Sequence, residues 1–178
     1  MKFIGNTAVF ALVLGLALPA LASQSQPVTD SDLQAHLASR LRYDRAGLDN
    51  QFNYLTVTVH DGIATLGGEV RTDTDRASAV AVAQNMRGVE GVRNEIKVAP
   101  ASFFDDGLRL KLSRAIYGDS VLRRYSMDPQ APIRIVVNGG HVTLYGVVAN
   151  QMDRQIAGIQ ANSVPGVFSV DNQLVVAR

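Results

Sequence analysis

The chain has 178 residues, no cysteine and no tryptophan, with 17 basic and 16 acidic side chains. That composition excludes disulfides, thiolate catalysis, covalent haem attachment and cysteine-bound zinc. A net charge this close to zero lacks the long-range field of a nucleic-acid binder, so no nucleic-acid partner is expected.

The chain opens "MKFIGNTAVFALVLGLALPALASQSQPV". Lys2 precedes an apolar run from Ala8 to Leu18, and small residues follow at Ala20 and Ala22. This predicts a signal peptide over 1–22, cleaved between Ala22 and Ser23, and an exported protein that is periplasmic or secreted. The run falls short of the ~20 residues that span a bilayer, which disfavours a retained anchor. No later stretch is apolar enough to span, so no transmembrane segment is expected in the mature chain. Without a cysteine there is no site for an N-terminal lipid either. Residues 23–29 read as a linker.

The remainder is a duplication. Shifting the sequence by 78 positions aligns 59–99 with 137–177 without a gap, and sixteen of the 41 pairs are identical. They include Gly62/Gly140, Leu66/Leu144, Gly68/Gly146, Asp75/Asp153, Arg76/Arg154, Gly88/Gly166 and Asn94/Asn172. Upstream the shift becomes 75, pairing Leu33, Leu37 and Leu41 with Leu108, Leu112 and Ile116. The expected units are 30–99 and 105–178, joined by a linker over 100–104. So short a linker predicts that the two units touch.

Each unit reads as helix, strand, strand, helix, strand, an αββαβ order of the α+β class. The first helix of unit one opens on "SDLQ", which suggests a capping box with Ser31 as cap and Gln34 reaching back. Leu33, Leu37 and Leu41 follow at helical spacing. Unit two opens on Asp105 and Asp106 and repeats the stripe. A hairpin comes next, with Leu55, Val57 and Val59 alternating into "HDG" and Ala64, Leu66, Gly68 and Val70 returning. Unit two turns at "NGG", and both turns suit the positive dihedrals of a tight hairpin.

Gly68 and Gly146 fall on the inward face of a strand, where a glycine implies close approach of another backbone. The second helix, with Ala79/Ala157 and Ala83/Ala161, is the expected neighbour. Gly88 and Gly166 are expected to end that helix. Asp75-Arg76 and Asp153-Arg154 are expected to support its start, where a carboxylate favours the helix dipole.

The ordered set "GIATLGGEV…DR…A…A…MRGVEGVRNEIKV", repeated as "GHVTLYGVV…DR…A…A…VPGVFSVDNQLVV", resembles the BON domain. Two copies behind a signal peptide are similar to the double-domain, osmotically inducible periplasmic type. The resemblance implies, for each copy, a small mixed three-stranded sheet covered on one face by two helices. It also implies non-catalytic envelope work: phospholipid binding, envelope integrity and osmotic stress tolerance, or chaperone-like contact with envelope proteins.

No catalytic, cofactor or metal site is expected. His36, His60 and His141 stand at unmatched positions and lack a two-histidine metal spacing. The paired glycines lack the "GK[ST]" of a phosphate loop, and no "GxSxG" elbow occurs.

The two copies differ on their outer surfaces. Residues 30–100 carry 8 basic and 10 acidic groups, whereas 101–178 carry 8 and 6. Opposite its apolar stripe, the first helix of unit one carries Ala35, Ser39 and Arg42. The matching helix of unit two carries Leu110, Lys111, Arg114 and Tyr117, with Phe103 and Phe104 just upstream. A cation between apolar residues suits an interfacial helix on anionic phospholipid. The bland reading is packing against unit one.

A second candidate is the open sheet face of unit two. Its apolar members Val136, Tyr145, Val147 and Val175 are expected to bury against unit one or a second molecule. The corresponding face of unit one is polar.

Overall fold

A computed structural model describes residues 28–43, 51–128 and 132–177. The predicted signal peptide and its Ala22–Ser23 cleavage site lie outside the described residues.

The order of elements is α1 (Asp30–Tyr43), β1 (Tyr54–His60), β2 (Ile63–Val70), α2 (Asp73–Gln84), β3 (Gly91–Asn94) and β4 (Lys97–Val98) in the first half. The second half holds α3 (Phe103–Gly118), a 3-10 turn (Leu122–Met127), β5 (Ile133–Asn138), β6 (His141–Val148), α4 (Gln151–Asn162) and β7 (Ser169–Val176). In each sheet the second strand is central. β2 pairs antiparallel with β1 and parallel with β3 and β4, and β6 pairs antiparallel with β5 and parallel with β7. This is the expected pair of mixed sheets backed by helices. The last strand of the first half is broken: the Asn94 side chain accepts the Ile96 N–H at 3.1 Å, while Glu95 N–H turns to Leu66 O at 2.7 Å.

The apolar stripes of α1 and α3 form the two cores. Leu33, Leu37, Leu41, Leu108, Leu112 and Ile116 are all buried, and all but Leu33 join core clusters with strand residues such as Leu66, Val70, Leu144 and Val148. Both hairpins turn through two residues of positive φ, Asp61-Gly62 and Gly139-Gly140. That is the backbone twist which a two-residue hairpin loop needs to match the strands.

Three local expectations are corrected. The box at the head of α1 is built by Thr29 and Asp32, not by Ser31 and Gln34. The Thr29 hydroxyl accepts Asp32 N–H at 3.2 Å, and the Asp32 carboxylate accepts Thr29 N–H at 3.3 Å. Gln34 instead accepts the Val59 N–H at 3.1 Å and ties the helix to the hairpin.

The strand glycines do not make room for the helix alanines. At φ +100° and +123°, a Cβ on Gly68 or Gly146 would land on the carbonyl oxygen of Tyr54 or Pro132, in the neighbouring strand's own backbone. The requirement is met twice, as expected, but inside the hairpin. Finally, α2 and α4 end at Gln84 and Asn162, and Gly88 and Gly166 shape the turns beyond them.

The Asp of each "DR" pair does sit at a helix start. Asp75 completes a capping box with Thr72. Asp153 donates its backbone N–H to the N-cap Asn150 Oδ1 at 2.9 Å, while its buried carboxylate accepts from Arg124 and the Tyr125 hydroxyl.

Candidate interaction surfaces

On α3 the outward line runs through Phe103, Gly107, Leu110 and Arg114, residues that share one helical face at i, i+4, i+7 and i+11. Phe103 is 99% exposed and Leu110 54%, and Lys111 and Arg114 are exposed beside them. The first half does not cover Leu110. Phe104 lies against Phe168 with ring centroids 6.2 Å apart, which adds two more exposed aromatics at the same end of the helix.

Tyr117 leaves this line. It turns inward against the core of the second half, donates its hydroxyl to Ile133 O at 2.5 Å and accepts Ile133 N–H at 3.2 Å. Burial pushes its phenol well above the usual tyrosine range, with the bond to Ile133 acting in the opposite sense. The sequence spacing put Tyr117 on the outer face with Leu110 and Arg114. Its contact with β5 decided the side.

The open sheet face of the second half divides. Tyr145 stacks on Tyr54 of the first half, with centroids 3.7 Å apart and rings 3° from parallel, and Val136 is buried. Val147 and Val175 stay exposed, at 53% and 62%.

Contact between the halves also runs through a stretch that no sequence signal singled out. Gln51 O accepts the Ile135 N–H at 2.8 Å, its side-chain amide reaches Ser113, and Phe52 enters the core of the second half. Asn53 follows, only 2% exposed, with its oxygen on Arg71 N–H at 2.7 Å and its amide nitrogen without a partner.

A cavity of about 400 Å³ opens beside this seam. Leu41, Leu55 and Val57 wall it from the first half and Pro132 and Val147 from the second. Arg42, Asn53, Arg134 and Asp128 also line it, together with Tyr54 and Tyr125. Arg42 was legible as an outward residue of its helix. Its place beside Arg134 was not, because that depends on how the halves dock.

Asp30, His60 and Asp61 bring ligand-type atoms within 4.8 Å of one another. Asp30 already spends both oxygens on the turn, accepting Asp61 N–H at 2.6 Å and Gly62 N–H at 3.1 Å, and both other groups are exposed. The cluster is accounted for by its fold role. Asp105 repeats that role in the second half, accepting Gly139 N–H at 2.8 Å and Gly140 N–H at 2.9 Å. His36, His60 and His141 are all exposed.

A family model described as the BON domain matches residues 29–100 and 118–178. The chain belongs to the BON domain family. Two copies of the BON domain thus account for both sheets, and the second match begins at the end of α3. Among solved structures, the chain is similar to a C-terminal domain of CdsD, a structural protein of the type III secretion system of Chlamydia trachomatis. The identity is 13% and the TM-score 0.34, with 85% of this chain and 68% of that one covered. A further structure of CdsD from the same organism is similar at 14% identity and a TM-score of 0.30, covering 80% and 94%. At these TM-scores neither likeness bears on partners. No curated protein matches the chain. Among the described residues, no helix is long and apolar enough to cross a membrane.

Proposed function

We propose that this double-BON protein is a non-catalytic, periplasmic envelope protein that associates with anionic phospholipid surfaces and supports envelope integrity under osmotic stress. The observation that carries the reading is the outer face of α3. Phe103 and Leu110 project into solvent in line with Arg114, and Lys111 lies beside them. Aromatic and aliphatic groups enter the headgroup boundary while a neighbouring cation meets phosphate, each basic residue near the surface adding about 1 kcal/mol. Tyr117 drops out of the proposed surface, and Phe104 and Phe168 join it.

Co-sedimentation with vesicles tests the reading. Binding should rise with the fraction of phosphatidylglycerol, fall with salt, and drop several-fold in Arg114→Glu and in Leu110→Ser. Equally negligible uptake by neutral and anionic vesicles would leave the α3 face as a contact for envelope proteins.

A further inference from the structure

We propose that the Tyr54–Tyr145 pair is an oxidative modification site, at which a carbon–carbon bond between the two rings joins the BON domains covalently. The inference does not rest on the α3 surface. The two rings come from different domains, lie 3° from parallel and have centroids 3.7 Å apart. Aromatic side chains in contact ordinarily keep their centroids about 4.5–7 Å apart. With carbon atoms approaching no closer than ~3.5 Å, the observed spacing leaves a sideways offset of only about 1 Å. Each ring therefore lies over the other, with its ortho carbons facing the partner ring. Both side chains are half-buried, so an oxidant reaches their edges.

Neither tyrosine belongs to the repeat. The strand registers put Pro132 in the second hairpin where Tyr54 stands in the first, and Gly67 in the first where Tyr145 stands in the second. Each domain adds one ring of its own, and docking brings the two together. The chain has neither cysteine nor tryptophan to divert a one-electron oxidation, and no disulfide to fix the docking.

The oxidant is one equivalent of peroxide, reduced by a haem peroxidase. Each phenol gives up one electron and its hydroxyl proton, and the two phenoxyl radicals join through one ortho carbon each. The hydrogen on each of those carbons then leaves as a proton, and each phenol oxygen regains one. Two C–H bonds are lost and one C–C bond is made, while peroxide takes up two electrons and two protons and leaves as two waters. Glu69 offers an acceptor for a phenolic proton. It stands directly across from Tyr54 on the same face of the hairpin, and its Oε1 is buried without a hydrogen-bond partner. Burial raises the Tyr145 phenol above the usual tyrosine range, and the charges of Tyr54, Glu69 and Asp171 add to this. The group to be oxidised thus starts protonated and needs such an acceptor.

The test treats the folded two-domain chain with hydrogen peroxide and a haem peroxidase, and reads dityrosine by its fluorescence and by peptide mass spectrometry. A link between Tyr54 and Tyr145 is expected within single chains, at a yield independent of protein concentration and with the loss of two hydrogens. Tyr54→Phe and Tyr145→Phe keep both rings but remove one phenol. Each should lower intrachain dityrosine about tenfold or more, as loss of a prealigned reactant does. Unfolding the chain in urea before oxidation should remove the preference for this pair. The linked protein should denature at a higher urea midpoint than the parent, because the bond closes a long loop of the unfolded chain. Absence of dityrosine from the oxidised folded chain, links confined to dimers, or an intrachain yield that Tyr54→Phe leaves intact overturns the proposal.

Discussion

The carboxylate of Asp105 on α3 holds the hairpin turn at Gly140, accepting its N–H at 2.9 Å while also accepting that of Gly139. Asp30 does the same for Asp61 and Gly62 in the first half. One side chain thereby fixes the angle between the first helix and the hairpin of each domain. Asp105 is 2% exposed, so Asp105→Ala would strand two turn donors, each costing about 1–3 kcal/mol. Urea denaturation should show a loss of about 3 kcal/mol. Asp30→Ala should cost about 1 kcal/mol, because its bond to Asp61 lies in water. Equal losses at the two positions would contradict this account.

Glycine substitutions separate a steric requirement from a neutral site. In Gly146→Ala the new methyl meets the carbonyl of Pro132 at a φ of +123°. The hairpin must open to accept it, and the melting temperature should fall by ten degrees or more, on the order of 2–4 kcal/mol. Gly107→Ala on α3 meets nothing within 4 Å. Helix propensity should make it neutral or stabilising by up to ~1 kcal/mol.

Phe52 precedes the first strand of the first domain yet packs in the core of the second. Phe52→Ala should cost about 3 kcal/mol, as deletion of a buried aromatic ring does. Hydrogen exchange supplies the decisive readout. Protection should fall in β5 and β6, not only in β1, and an effect confined to the first domain would refute the assignment.

Tyr117 predicts an alkaline limb of stability. Its phenol is raised by burial, so the folded state favours the protonated form. The stability it contributes is complete below the unfolded tyrosine value of about 10 and is lost as pH rises toward the higher folded value. Tyr117→Phe should cost about 1 kcal/mol at pH 7 through the lost hydrogen bond to Ile133. The gap between variant and parent should narrow above pH 10, measured by denaturant midpoints. A gap independent of pH would show that the hydroxyl is not the group responsible.

Much of the architecture was legible because the chain writes it twice. The leucine stripe of α1 and the positive-φ turn at Gly62 each have a partner one repeat away, and all of them fall where periodicity and turn chemistry put them. The Asp30 clamp was missed although its signal was present. Asp30 and Asp105 are identical at the 75-residue shift, and a polar identity at the head of two otherwise divergent helices asks for a partner. The strand glycines were recognised but given the wrong neighbour, since sequence shows that a Cβ is forbidden and not which atom forbids it. Tyr117 was lost because helical spacing places it on the outer face, and its hydrogen bonds to Ile133 on β5 override that. The cavity and the Tyr54–Tyr145 stack depend on docking between domains, for which a repeat carries no record.

Gln51 sets its carbonyl on the Ile135 amide at the outer rim of the second sheet. An unguarded strand rim invites pairing with copies of the same molecule, and from there fibrous assembly. The connection into β1 thus serves as a built-in stopper: by occupying that amide it keeps crowded chains from zipping together through β5.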